Sequence, residues 1–300
     1  MKRQFRHWIR KLIHRTFVRV DISEKHIFLF ATRRGGSTLA RDLLYASLDN
    51  FDFIDQPFDY NQFNPHKHHF GSQADDQIIV PKNDANTILK DYMDNILNGR
   101  YYIRSQWDFR NKYFSKTVEG FILKLINCKG SIEWFYHHFK DQAEFILLLR
   151  NPISVARSIE KLNWKETTEM YIRNPYYAGE ILGSNLVSFI EDEMNRTSYT
   201  ERLILNWYVE NYGIYHFFKK HKLAIFLYED LVAKPKEILE EITTKQINLG
   251  FINEVIKRPT RSVFDKKSNA MLQNQNNVSE SLKELVISYS KKFEIEEYPK

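Results

Sequence analysis

The chain has 300 residues, 43% of them apolar, and a formal net charge of +6. Its single cysteine, Cys128, excludes an intrachain disulfide and fits a reducing compartment. No run of about 18 apolar residues occurs, which excludes a transmembrane helix.

The charge is unevenly spread. Residues 1–20 hold seven Lys or Arg and no acid, so the rest of the chain carries a net charge of −1. A basic arm on a nearly neutral body excludes a broad nucleic-acid-binding face. Within the arm, Phe5, Trp8, Ile9, Leu12, Ile13 and Phe17 recur at helical spacing between basic residues. That pattern suits a helix lying on an anionic membrane surface, or one packed on the protein's own body. No uninterrupted apolar signal-peptide core is present, and the expected location is cytoplasmic, at the inner membrane surface.

Past the arm, His26–Ala31 reads as a short buried strand. A glycine-containing loop follows, then a helix over about residues 37–47. The segment Phe51–Tyr60 comes next and is rich in Asp and Phe. A helix is expected over 86–97, and a strand over Phe121–Ile126 that contains Lys124. Buried lysine is rare unless paired, so Lys124 belongs at a strand end near a site or on an edge strand. Glu144–Leu149 is another strand, broken at Arg150-Asn151-Pro152, with a helix continuing to about Leu162. Further helices are expected over 185–196 and 200–220. A strand over 223–228 leads into Glu229-Asp230-Leu231 and a helix from near Pro235. An Asn/Gln-rich loop over 268–279 precedes a last helix near 281–292. Strands alternating with helices imply an α/β fold of three layers, with a mainly parallel central sheet flanked by helices. We read one domain over 21–300, preceded by the arm.

Ligands of such sheets sit beyond the carboxyl ends of the strands, where the first loop lies. Gly35 and Gly36 let backbone approach an anion closely. Ser37 and Thr38 open a helix whose first N–H groups and dipole favour negative charge. Arg34 adds a fixed positive charge. The lysine of a nucleotide-triphosphate loop is absent after Gly36, and no convincing Mg²⁺-binding Asp follows a later strand. His66, His68 and His69 read as solvated surface, and no metal-ligand spacing is present.

Thr32-Arg33-Arg34-Gly35-Gly36-Ser37-Thr38-Leu39-Ala40 resembles the 5′-phosphosulfate loop of the sulfotransferases that use 3′-phosphoadenylyl sulfate (PAPS). Phe145–Pro152 with Ser158 resembles the same family's 3′-phosphate motif, an Arg ending a strand and a Ser eight residues on. Tyr228-Glu229-Asp230-Leu231 with Pro235 is a further segment common in the family. The three lie in the family's order over about two-thirds of the chain.

This resemblance implies a P-loop-like sulfotransferase fold with PAPS as co-substrate and no metal. Arg33, Arg34, Gly35, Gly36, Ser37, Thr38, Arg150 and Ser158 would bind the donor. Arg34 would stabilise charge on the leaving bridging oxygen, as in phosphoryl transfer. The resemblance to bacterial and carbohydrate sulfotransferases implies a carbohydrate or glycolipid hydroxyl as acceptor. In the trehalose 2-sulfotransferase group the catalytic acid lies two residues after a proline, which is Asp59 here, with Asp55 as runner-up general base. Gln56 stands where many relatives have Glu. Lys124 matches a lysine that recurs in bacterial relatives. Arg258, Arg261, Lys266 and Lys267 stand where cytosolic relatives close a basic loop over the 3′-phosphate. The rival readings are a P-loop kinase or other phosphotransferase, and a non-catalytic nucleotide-binding or membrane-docking protein.

Overall fold

A computed structural model describes residues 18–58, 77–85, 87–100, 116–243, 255 and 279–298. Most of the basic arm, Asp59 and the basic positions 258–267 lie outside these residues. Among the described residues no helix is long and apolar enough to cross a membrane.

Five parallel strands form the central sheet. With a short outlying strand β1 (Val18–Val20) counted first, they are β2 (His26–Ala31), β3 (Phe51–Asp55), β5 (Gly120–Leu125), β6 (Ala143–Leu149) and β7 (Ala224–Leu227). Their order is β3-β5-β2-β6-β7. β1 pairs separately with β4 (Lys116–Val118), also in parallel. Every residue of β2 is buried. An unbroken apolar string is what a central strand covered on both faces requires.

Alternation along the strands divides the core in two. Phe28, Phe30, Leu123 and Leu147 face one way, toward helices α2 (Thr87–Leu97), α3 (Ile132–Phe139) and the long α7 (Tyr199–His221). Ile27, Leu29, Ile122 and Ile146 face the other way, toward α1 (Ser37–Ser47), α8 (Tyr228–Ala233) and α9 (Pro235–Thr243). The first layer is strongly aromatic, with Phe28 against Phe145 at 5.2 Å and Phe30 against Phe135 at 6.0 Å, both edge to face. Each such buried side chain contributes about 1.5–3 kcal/mol. The helix α4 (Pro152–Glu160) starts on Pro152, with the Asn151 side chain accepting from the Ser154 N–H. α5 (Thr168–Ile172), a π-helical turn (Tyr177–Leu182) and α6 (Ser184–Arg196) lead to α7, which opens with a Ser198/Glu201 capping box. The last helix is α10 (Glu280–Phe293).

β3 was not foreseen in the sequence. Two Asp in five residues weaken a strand pattern. Here Asp52 accepts the Phe53 N–H, and Asp55 is ion-paired, so both tolerate burial. Lys124 is the penultimate residue of β5, which β3 and β2 flank, so it sits at a strand end and not on an edge.

After β2 the chain turns to the β3/β5 side, and after β6 it turns to the β7 side. The crevice between β2 and β6 is therefore the topological switch point of the sheet. Register places Ala31 beside Leu148, so Thr32 and Arg150 emerge close together at that point.

Candidate active site

The loop leaving β2 is built backward from its glycines. The Gly35 N–H closes a turn onto the Thr32 carbonyl at 2.8 Å, and a Cβ at Gly35 would meet that oxygen at 2.8 Å. Gly36 has φ +87°, a left-handed conformation that glycine adopts without strain. Arg34 has φ +63°. Gly36 then caps α1 with no side-chain acceptor, and no acid lies in the first turn. That leaves a helix start suited to an anion, with Ser37 and Thr38 at its head.

Arg150 arrives from β6. Its Nη1 donates to the Arg34 carbonyl at 3.0 Å, and its guanidinium stacks 4.5 Å above the Tyr228 ring. The same ring covers Gly36, where a Cβ would stand 2.1 Å from Tyr228 Cδ2. Tyr228 thus wedges the two strand ends together. Arg34 Nε donates to Ser158 Oγ at 2.9 Å, two turns into the next helix.

Arg34, Arg150 and Ser158 are therefore one cluster. Neither arginine has a carboxylate partner among the described residues. Arg150 Nε is buried without a hydrogen-bond partner among the described residues. Burial, then the charge of Arg150, depress the Arg34 pKa. Two cations drawn together out of water stabilise an anion placed between them.

Arg33 points elsewhere. It is buried and donates to the Lys165 carbonyl at 2.8 Å, with its guanidinium 6.0 Å from the Trp164 ring. Behind it lies a sealed polar network that sequence reading missed. Lys129 Nζ meets Glu210 Oε2 at 2.7 Å and Thr32 Oγ1 at 2.9 Å, and Thr167 donates to Glu210 Oε1 at 2.5 Å. Lys129 and Glu210 are 0% and 1% exposed. Burial alone would raise the Glu210 pKa, but Lys129 and then Arg33 outweigh it and hold the carboxyl at about 2.

On the other side of the loop, Lys124 Nζ lies 2.5 Å from Asp55 Oδ1 and 3.4 Å from Thr38 Oγ1. Arg41 Nη1 stands 3.0 Å from the same Asp55 oxygen. Burial pushes the Asp55 pKa up, yet Lys124 and Arg41 outweigh it, leaving the carboxyl below its ordinary value. Asp59 lies outside the described residues.

The parallel sheet flanked by helices is α/β, and its switch point gathers an uncapped helix start and two arginines without carboxylate partners among the described residues. The match of residues 24–297 to the sulfotransferase domain is specific, and the chain belongs to that family. No curated protein matches it. Among solved structures it is similar to the sulfotransferase domain from the curacin biosynthetic pathway, at 14% identity and TM-score 0.41, covering 81% of each chain. It is also similar to the mouse sulfotransferase SULT7A1 complexed with PAP, at 11% identity and TM-score 0.43, over 91% of this chain and 87% of that one. A third is the sulfotransferase domain of the Synechococcus PCC 7002 olefin synthase, at 16% identity and TM-score 0.38, over 91% and 96%.

Proposed function

We propose that the chain moves the sulfuryl group of PAPS to a hydroxyl of a carbohydrate or glycolipid. The carrying observation is the Arg34–Ser158–Arg150 cluster, two cations without carboxylate partners among the described residues beside an uncapped helix start. A donor with a 5′-phosphosulfate and a 3′-phosphate needs two anion positions, and the start of α1 and the Arg150–Ser158 pair suit them. Gly35, Gly36, Ser37 and Thr38 hold the 5′ end. Arg150 and Ser158 hold the 3′-phosphate, and the orphaned Arg150 Nε fits that demand. When bound, PAPS supplies an activated sulfuryl group for in-line attack.

Arg34, on the loop that holds the 5′ end, stabilises charge that develops on the leaving side. Lys124, close to Thr38, is the cation on the loop's other flank. Asp55 holds Lys124 in place and offsets part of the burial that lowers the Lys124 pKa. Held ionised by two cations, it is a poor proton acceptor, so Asp59 is the better general base.

The basic arm would bring this site to the inner membrane surface, where lipid-linked sugars are presented. Deleting residues 1–20 should lower partition onto anionic vesicles, and unchanged partition would remove that part of the reading.

Transfer of radiolabelled sulfate from PAPS tests the acceptor class. Separate pools of glycolipids, soluble oligosaccharides and small phenols would be offered. Label entering a carbohydrate pool supports the proposal, and label confined to the phenols contradicts it.

A further inference from the structure

The described part of the chain ends on a residue that reaches the switch point. Beyond α10 the backbone turns back, with the Ile295 N–H bonded to the Ser290 carbonyl at 3.1 Å and Ile295 fully buried. The Tyr298 carbonyl accepts from Ser290 Oγ, and its ring packs edge-on against Trp207 at 6.0 Å. The Tyr298 side chain is 4% exposed overall, and its hydroxyl donates to Glu229 Oε2 at 2.5 Å. The other oxygen of that carboxylate, Oε1, accepts the Asn151 N–H at 3.1 Å. Asn151 is the residue between Arg150 and the first turn of α4.

A carboxylate beside a phosphate site is a hazard. Glu229 would compete for Arg150 and repel the incoming charge unless both its oxygens were engaged elsewhere. Tyr298 and Asn151 engage them. The charge of Arg150 also acts on the Tyr298 phenol, so the three groups share one electrostatic neighbourhood. Burial, and then Glu229, push the phenol pKa far up, so the hydroxyl stays a proton donor at all working pH values.

We infer that Tyr298 is a positioning residue for the 3′-phosphate site: its hydroxyl holds Glu229 on the Asn151 N–H and away from Arg150. It touches no ligand and acts through Glu229. The inference rests on the donor reading above and adds to it a residue 148 positions from Arg150 in the chain.

The test is Tyr298→Phe, which keeps the ring and its packing. Titrations with PAP (adenosine 3′,5′-bisphosphate) and with 5′-AMP differ only in the 3′-phosphate. Losing one hydrogen bond to a charged group is worth about tenfold in an equilibrium. PAP should bind the variant about tenfold more weakly, while 5′-AMP affinity stays at the wild-type value. Glu229→Gln removes the charge that Tyr298 restrains, so it should keep PAP affinity at or above the wild-type value, and adding it to Tyr298→Phe should restore the lost PAP affinity. PAP affinity retained in Tyr298→Phe would overturn the inference, as would an equal loss for both ligands, which marks a general packing role. Wild-type protein that does not distinguish PAP from 5′-AMP would instead sink the donor reading itself.

Discussion

Arg34 Nε and Ser158 Oγ are joined at 2.9 Å, although 124 positions separate them in the chain. One residue belongs to the loop after β2 and the other to the helix after β6, so the bond ties together the two halves of the sheet that meet at the switch point. Ser158→Ala leaves the Arg34 guanidinium without that partner. PAP affinity should fall about tenfold, as for other hydrogen bonds to charged groups. Arg150→Ala removes the proposed 3′-phosphate donor and should cost about a hundredfold or more. Isothermal titration of both variants checks the order, and Ser158→Ala binding PAP like wild type would break the link.

Gly36 is the tightest point of the loop. An added Cβ would collide with Tyr228, and φ +87° adds about 1 kcal/mol of left-handed strain. Gly36→Ala should push Tyr228 off the loop and from beneath Arg150. Expected are a PAP affinity loss of at least about tenfold and only a modest fall in Tm, read by titration and thermal unfolding.

The Lys129–Glu210 pair makes stability depend on acid. Glu210 has a folded pKa of about 2, below its ordinary value of 4.5. A depressed carboxyl contributes stability that is fully present above the unfolded pKa and is lost as pH falls through the folded one. Urea unfolding at pH 5 and pH 3 should therefore show a loss at the lower pH. Glu210→Gln should be less stable at pH 5, since it leaves Lys129 buried without its counter-charge. It should also show a smaller drop on going to pH 3. Parallel pH profiles for the two proteins would contradict the assignment.

Much of the site could be read from the chain because its parts are local. After His26, β2 is an unbroken apolar string, the glycines punctuate its end, and Pro152 marks the start of α4. Those features fix where Arg34, Arg150 and Ser158 must emerge. What escaped reading depends on distant pairs. β3 hides behind Asp52 and Asp55, whose burial makes sense only once Lys124 and Arg41 arrive from other elements. Lys129 and Glu210 lie 81 residues apart, and Glu229 and Tyr298 lie 69 apart. No periodicity in sequence announces partners at such separations.

The two candidate bases, Asp55 and Asp59, should behave differently. Asp55→Asn uncouples a buried pair in which Lys124 and Asp55 are 4% and 10% exposed, and should cost about 3–5 kcal/mol of stability. Asp59→Asn should leave stability and PAP affinity intact while lowering kcat by about a hundredfold or more. Turnover of Asp59→Asn at the wild-type rate would remove it as the base.

Whether PAPS is the donor can be decided by one thermal-shift comparison. Purified protein is titrated in parallel with PAP and with ATP–Mg²⁺. A ligand at 100 times its Kd adds about 2.7 kcal/mol of stability. PAP should give a saturable rise in Tm that persists in EDTA, and ATP–Mg²⁺ no comparable rise. A clear rise with ATP–Mg²⁺ and none with PAP would contradict it.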